Sequence, residues 1–187
     1  MVQVSVEALE FRPGTVLATS FTGTVTERHG ARLERIQTPA RLLLWLTQRR
    51  LEVPACSAEE LQRALTLREA IHVAATAAAI GSPLPEDSVR VINNASRLGS
   101  ASPVLARDGS LRWWLGQPAS VDSALSVIAG DAVGLLAGTR SGAFALCASP
   151  TCRAAFFDTS RGRTRRWCDM NTCGNRQKKK RLRSRSV

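Results

Sequence analysis

Four of the five cysteines lie close together in the C-terminal quarter of the chain, whereas Cys56 stands alone. Their spacing is Cys147-x4-Cys152, then fifteen intervening residues, then Cys168-x4-Cys173. Two close pairs separated by a hairpin can bring four thiolates to the corners of a tetrahedron, which is the geometry of structural Zn²⁺ sites. Four protein ligands leave no open coordination position, so we expect a structural rather than a catalytic zinc site. The alternative is a group of buried thiols without a metal.

The excess positive charge of the chain lies in the same region. The net charge is +11, and residues 140–187 hold 13 basic side chains against only Asp158 and Asp169. Residues 1–139 hold 13 basic and 13 acidic side chains and are therefore neutral. Such asymmetry indicates a polyanionic partner for the basic part. Nucleic acid is the leading candidate because neutralising phosphates releases counterions, and an anionic membrane is the weaker alternative because apolar anchors are few.

The candidate nucleic-acid contacts fall in a segment between the cysteine pairs, interpreted as a hairpin, and in a helix with its tail after the last cysteine. They are Arg161, Arg163, Arg165, Arg166, Asn175, Arg176, Lys178, Lys179, Lys180, Arg181, Arg183 and Arg185. Arginine can form two hydrogen bonds with the edge of guanine, and asparagine can do so with adenine. Asn175 and Arg176 are therefore the candidates for base reading. The alternatives are that Asn175 caps the helix or orients a thiolate, that Arg176 binds only phosphate, and that the tail is a solvated, disordered segment.

Helical signals dominate the neutral part of the chain. Thr38-Pro39 predicts a helix start, and Ser57 with Glu60 forms a capping-box pattern before a long apolar face. Asp108-Gly109 predicts a hairpin turn, and Ser120 is the expected cap of a further helix. The helices are predicted over about 39–50, 57–80, 86–98 and 120–138.

Two domains are predicted, with a boundary near Thr139. Residues 1–139 form a helical domain with a small β-hairpin, and residues 140–187 form a small zinc module of hairpin plus helix, for which a treble-clef-like arrangement would fit. The fold class is therefore mainly α. So short a module usually needs a metal or disulfides to fold. Phe156, Phe157 and Trp167 are expected to form an apolar cluster beside the metal.

The segment CASPTCRAAFFDTSRGRTRRWCDMNTCGNRQKKKR resembles the CGNR zinc finger, named for the tetrapeptide found here at Cys173-Gly174-Asn175-Arg176. Upstream, WLTQRRL, the LREAI segment and the tryptophan-containing hairpin resemble the ABATE domain that commonly precedes this finger. The resemblance implies a bacterial, stress-related transcription regulator whose helical N-terminal domain has an unclear ligand. It also implies that Cys147, Cys152, Cys168 and Cys173 bind zinc.

The expected function is DNA-binding transcription regulation, with Zn²⁺ as cofactor. An RNA-binding protein that uses the same module is the main alternative. An enzyme with its active site in the N-terminal domain is a weaker alternative, because the sequence shows no clustered acid–base or nucleophilic residues. We therefore expect no enzymatic activity. Two further possibilities are that the protein forms a homodimer and that its N-terminal domain binds an unidentified small molecule. The start of the chain lacks a secretory pattern, so we expect a cytoplasmic, nucleoid-associated protein without membrane contact.

Overall fold

A computed structural model describes residue 11 and residues 16–185, apart from the side chains of residues 181, 184 and 185. The helices are α1 (Leu17–Thr22), α2 (Pro39–Gln48), α3 (Ala58–Ala79), α4 (Glu86–Leu98), α5 (Val121–Leu136) and α6 (Asn175–Arg185). The strands are β1 (Val25–Thr26), β2 (Leu33–Glu34), β3 (Ser102–Leu105), β4 (Leu111–Trp114), β5 (Ala143–Leu146) and β6 (Ala155–Asp158). They pair consecutively into three antiparallel two-stranded hairpins. The predicted class, helical with small hairpins, is confirmed.

Local side-chain caps fix the helix starts that the sequence predicted. Ser57 Oγ accepts from the Glu60 N–H at 3.1 Å, and Glu60 Oε2 accepts from the Ser57 N–H at 2.7 Å, which completes the capping box. Thr38 and Ser120 each accept a backbone N–H of the following helix. Helix α2 ends at Gln48, slightly before the predicted end. These bonds satisfy N–H groups that a helix start leaves without partners.

The main core lies between the helices. Helix α4 packs against α3 and α5, and α1 packs against the same two helices. The largest fully buried side chains include Trp45, Phe21, Leu67 and Ile128, and the rings of Phe21 and Trp45 lie 5.0 Å apart. Among the residues that the structure describes, no helix combines the length and apolarity that a membrane crossing would require.

A buried ion network fastens the first hairpin to α3. The Arg68 side chain, only 3% exposed, forms bonds of 2.7 and 2.6 Å to the two carboxylate oxygens of Glu34 on β2. Arg28 binds Glu69 at 2.6 Å. Burial opposes ionisation of Glu69, but the bonds and charges of the two arginines lower its pKa below the usual value. Each charge is therefore matched by an opposite one, as burial requires.

The last hairpin joins the main core instead of standing apart from it. Strands β5 and β6 pack on α3, and Phe157 on β6 is 2% exposed and belongs to the main core. Its ring meets that of Phe144 edge to face, with centroids 5.2 Å apart. The expectation that Phe157 lies beside the metal is thus wrong, because its side chain points to the helices. The division at residue 139 stays a prediction.

Replacing Phe157 with alanine tests this packing. We expect Phe157→Ala to lower the free energy of unfolding by about 3–5 kcal/mol, since the truncation leaves a cavity in the main core. Urea unfolding followed by helical circular dichroism measures the change. Leu105→Ala is the control, because Leu105 is 80% exposed and its loss should cost no more than about 0.5 kcal/mol. Equal stabilities of the two variants would place the hairpin outside the helical core.

Candidate metal centre and nucleic-acid interface

The four sulfur atoms of the predicted zinc ligands meet at one point. The Sγ atoms of Cys147, Cys152, Cys168 and Cys173 all lie within 4.8 Å of one another. Cys168 Sγ lies 3.6 Å from Cys152 Sγ and 3.7 Å from Cys173 Sγ. Zn–S bonds of about 2.3 Å at tetrahedral angles place sulfurs about 3.8 Å apart. The two short S–S distances match this spacing, and the four sulfurs together lie close enough to bind one zinc ion.

Each cysteine pair is positioned by its own local structure. Cys147 directly follows β5, and the turn that leads into β6 carries Cys152. Backbone bonds from the Cys147 N–H to the Ala154 carbonyl (2.9 Å) and from the Cys152 N–H to the Ser149 carbonyl (3.0 Å) hold this turn, residues 147–154, which we call the knuckle. The second pair comes from a loop, at Cys168, and from a π-helical turn, Met170–Gly174, which contains Cys173 and runs directly into α6. Metal binding therefore ties the start of α6 to the knuckle.

The four thiols shift one another's pKa values, two downward and two upward. Hydrogen bonds from Cys152 and Cys168 lower the pKa of Cys147 to about 7, and bonds from the other three thiols lower the pKa of Cys173. The pKa values of Cys152 and Cys168 are raised, because each of these thiols donates to a neighbour that ionises first. Ionising all four sulfurs together thus requires a cation among them, and a divalent metal supplies it.

Tight packing surrounds the π-helical turn. Trp167 packs against the cysteines in a small core separate from the helical one. A Cβ on Gly174 would lie 2.5 Å from the Met170 sulfur and 3.3 Å from the Trp167 ring, so only glycine fits without displacing them. Asp169 caps the turn by accepting from the Asn171 N–H at 3.0 Å. The predicted neighbour Trp167 is confirmed at the metal centre.

The arginine-rich segment between the pairs is a loop, so its interpretation as a hairpin is wrong. The strands of this region, β5 and β6, instead flank the first cysteine pair. Buried Asp158 organises the loop by accepting the N–H groups of Ser160 and Arg165, both at 2.9 Å. Burial alone would raise the pKa of Asp158, but hydrogen bonds from Ser160 and from the Arg165 backbone lower it. The ionised carboxylate therefore shapes the loop.

The candidate nucleic-acid residues have different surroundings. Arg165 donates to the Cys168 carbonyl at 3.0 Å and lies over the Phe156 ring, so it supports the module from within. The other loop arginines and the described helix side chains are exposed, namely Arg161, Arg163, Arg166, Lys178, Lys179, Lys180 and Arg183. The side chains of Arg181 and Arg185 lie outside the described residues. Among described residues, none of the seven exposed cations has a carboxylate partner.

The two candidates for base reading both make contacts at the start of α6. Asn175 Nδ2 donates to the Asn171 carbonyl at 3.2 Å, a bond to the π-helical turn that is neither the expected cap nor a bond to a thiolate, and the residue is exposed. Arg176 forms an ion pair with Glu27 on the β1–β2 turn. The sequence analysis missed Glu27, because its partner lies far away along the chain and no local pattern marks the pair.

A cavity of about 280 Å³ lies between the helical part and the zinc module. One wall comes from α1 and β1 and includes Ser20 and Thr26, whereas the other includes Phe156, Arg165 and Met170. It is large enough for a small molecule or several waters. An occupant would contact both parts of the chain at once.

Comparison with known families agrees with this geometry. A model of the ABATE domain, described as "Putative stress-induced transcription regulator", matches residues 15–139. A model of the CGNR zinc finger matches residues 144–186 and so includes all four sulfur ligands. A search of curated proteins found no match.

We expect the purified protein to contain one zinc ion per chain, measured by elemental analysis after gel filtration. Chelation should change the tryptophan fluorescence, because Trp167 packs on the ligands. Trp167→Phe is the control: the fluorescence change should vanish while zinc is still bound. A zinc content near zero, or iron with visible absorbance, would contradict the assignment.

Proposed function

Because the chain belongs to the ABATE family and carries a CGNR zinc finger, we propose that it is a transcriptional regulator that binds duplex DNA through its zinc module. The observation that carries the proposal is the placement of exposed cations without described carboxylate partners on the loop that leads to Cys168 and on α6, which follows Cys173. The metal fixes where these segments begin, and the cations supply the attraction to phosphate. Zinc is the metal that the thiolate ligand set favours.

The acids of the module support the proposal because they do not neutralise its surface. The only two in residues 140–187 are Asp158 and Asp169. Both carboxylates accept backbone N–H groups within their own turns. The exposed basic side chains therefore have no counter-charge inside the module, and a polyanion can replace their counterions.

Other features of the proposal stay predictions. We expect the regulator to have no enzymatic activity. We also expect it to act in the cytoplasm, at the nucleoid. The homodimer also stays a prediction, and gel filtration with light scattering tests it. A small-molecule ligand is the second candidate function of the N-terminal part, and the 280 Å³ cavity beside the zinc module supports it.

The salt dependence of DNA binding tests the proposal. If the module contacts about six phosphates, log K against log salt should slope about −5. Deleting residues 178–187 removes six basic groups and should flatten the slope and weaken all sequences alike. Replacing Lys178, Lys179 and Lys180 with arginine keeps the charge and should keep the slope. Fluorescence anisotropy measures each variant.

Two results of that series would contradict the proposal. Unchanged affinity after the deletion would exclude electrostatic binding through the tail. Tighter binding to a structured RNA than to duplex DNA at equal salt would support the RNA-binding alternative.

Replacing Asn175 with alanine separates base reading from phosphate binding. We expect Asn175→Ala to lower the ratio of specific to random affinity and to leave the salt slope unchanged, because the amide carries no charge. Anisotropy on both kinds of duplex over the same salt series measures it. Loss of zinc from the variant would instead assign Asn175 to the scaffold, through its bond to Asn171.

A further inference from the structure

The turn between β1 and β2, residues 27–32, touches the zinc module at two places. The His29 N–H donates to the Thr151 carbonyl of the knuckle at 3.0 Å. A Cβ on Gly30 would lie 3.1 Å from the Thr151 Cβ, so glycine permits this close approach. At the other place, Glu27 pairs with Arg176 at the start of α6. The turn therefore bridges the knuckle and the basic helix.

The charged side chains of this turn have different roles. Arg28 is 4% exposed and is bound to Glu69 on α3. The Glu27 carboxylate is 18% exposed and is bound to Arg176. Arg32 is exposed, and the structure describes no carboxylate bound to it. Once these pairs are formed, the turn presents one unpaired positive charge to solvent.

A second unpaired arginine lies beside the turn on the knuckle. Arg153 is exposed, no described carboxylate binds it, and it lies only two residues, at most about 7 Å of chain, from Thr151. The Arg32 N–H donates to the Glu27 carbonyl at 2.9 Å, which places Arg32 next to the residue that binds Arg176. The three arginines 32, 153 and 176 thus come from segments in direct contact.

We propose that Arg32 and Arg153 bind backbone phosphates of the same duplex as α6, so that the helical domain itself contributes to the nucleic-acid interface. This inference rests on the proposed DNA binding. Phosphates follow one another every 3.4 Å of axis along each strand, so a duplex lying along α6 offers several to neighbouring arginines. The neutral total of residues 1–139 conceals this contribution, because two acids counted in it, Glu27 and Asp131, are bound to Arg176 and Arg140 outside that range.

Single substitutions test the inference in the full-length, zinc-loaded protein with a random-sequence 20-bp duplex. Arg32→Asn and Arg153→Asn should each reduce the salt slope by about 0.9 and the affinity about eightfold at 0.1 M salt, the loss expected for one phosphate contact. Asparagine is chosen at both positions because Arg32 has φ 45° and Arg153 has φ 47°, and asparagine tolerates this conformation better than most residues. Arg32→Lys should retain most of the slope.

Arg107→Ala is the matched control, since it removes one exposed charge from the turn of the β3–β4 hairpin. Its slope and affinity should equal those of the wild type. If Arg32→Asn and Arg153→Asn behave like Arg107→Ala, while the tail deletion still weakens binding, this inference is wrong and the proposed function stands. If the wild type fails to bind duplex DNA, both are wrong. Zinc content and circular dichroism verify the fold, and Arg32→Asn alone decides the question if the knuckle variant loses zinc.

Discussion

Four thiolates within 4.8 Å of one another cannot all be ionised unless a cation lies among them. This constraint determines the arrangement of the C-terminal part. The ligands come from a knuckle, a loop and a π-helical turn, none of which has an apolar core large enough to hold it. A metal bound by the four sulfurs would join the three segments, and α6 starts two residues after Cys173. The start of the basic helix would therefore be held by coordination at Cys173, in addition to the packing of Met170 and Trp167 around Gly174 and the Arg176–Glu27 ion pair.

The β5–β6 hairpin contacts both the helical core and the arginine-rich loop of the zinc module. Successive side chains of a strand point to opposite faces, so Phe156 and Phe157 cannot both face the metal. Phe157 enters the helical core, whereas Phe156 lies under the Arg165 guanidinium, whose carbon is 5.1 Å from the ring centroid. One strand thus connects the hydrophobic core to the arginine loop. Loss of the metal should disorder the loop and turn without removing the hairpin from the helices.

The sequence predicted what local patterns encode. The capping box at Ser57 and Glu60, the turn at Asp108-Gly109 and the spacing of the four cysteines each depend on residues close together in the chain. It did not predict α1 or the β1–β2 hairpin, whose anchors are the buried pairs Arg68–Glu34 and Arg28–Glu69. Those pairs join distant segments, and a charged residue gives no sign in sequence of whether it will be buried. The same reason explains why Glu27 was missed as the partner of Arg176.

Charge counting in sequence also overstates the number of cations without a partner in the structure. Arg165 has its guanidinium bound to the Cys168 carbonyl and lying over Phe156, and Arg140 is paired with Asp131. Both raise the net charge of residues 140–187, yet each already has a partner. Conversely, Arg32 lies in a part of the chain that sums to zero, but it is exposed beside the module. The surface that a polyanion meets therefore depends on which cations already have partners, and the domain boundary in sequence is not the boundary of that surface.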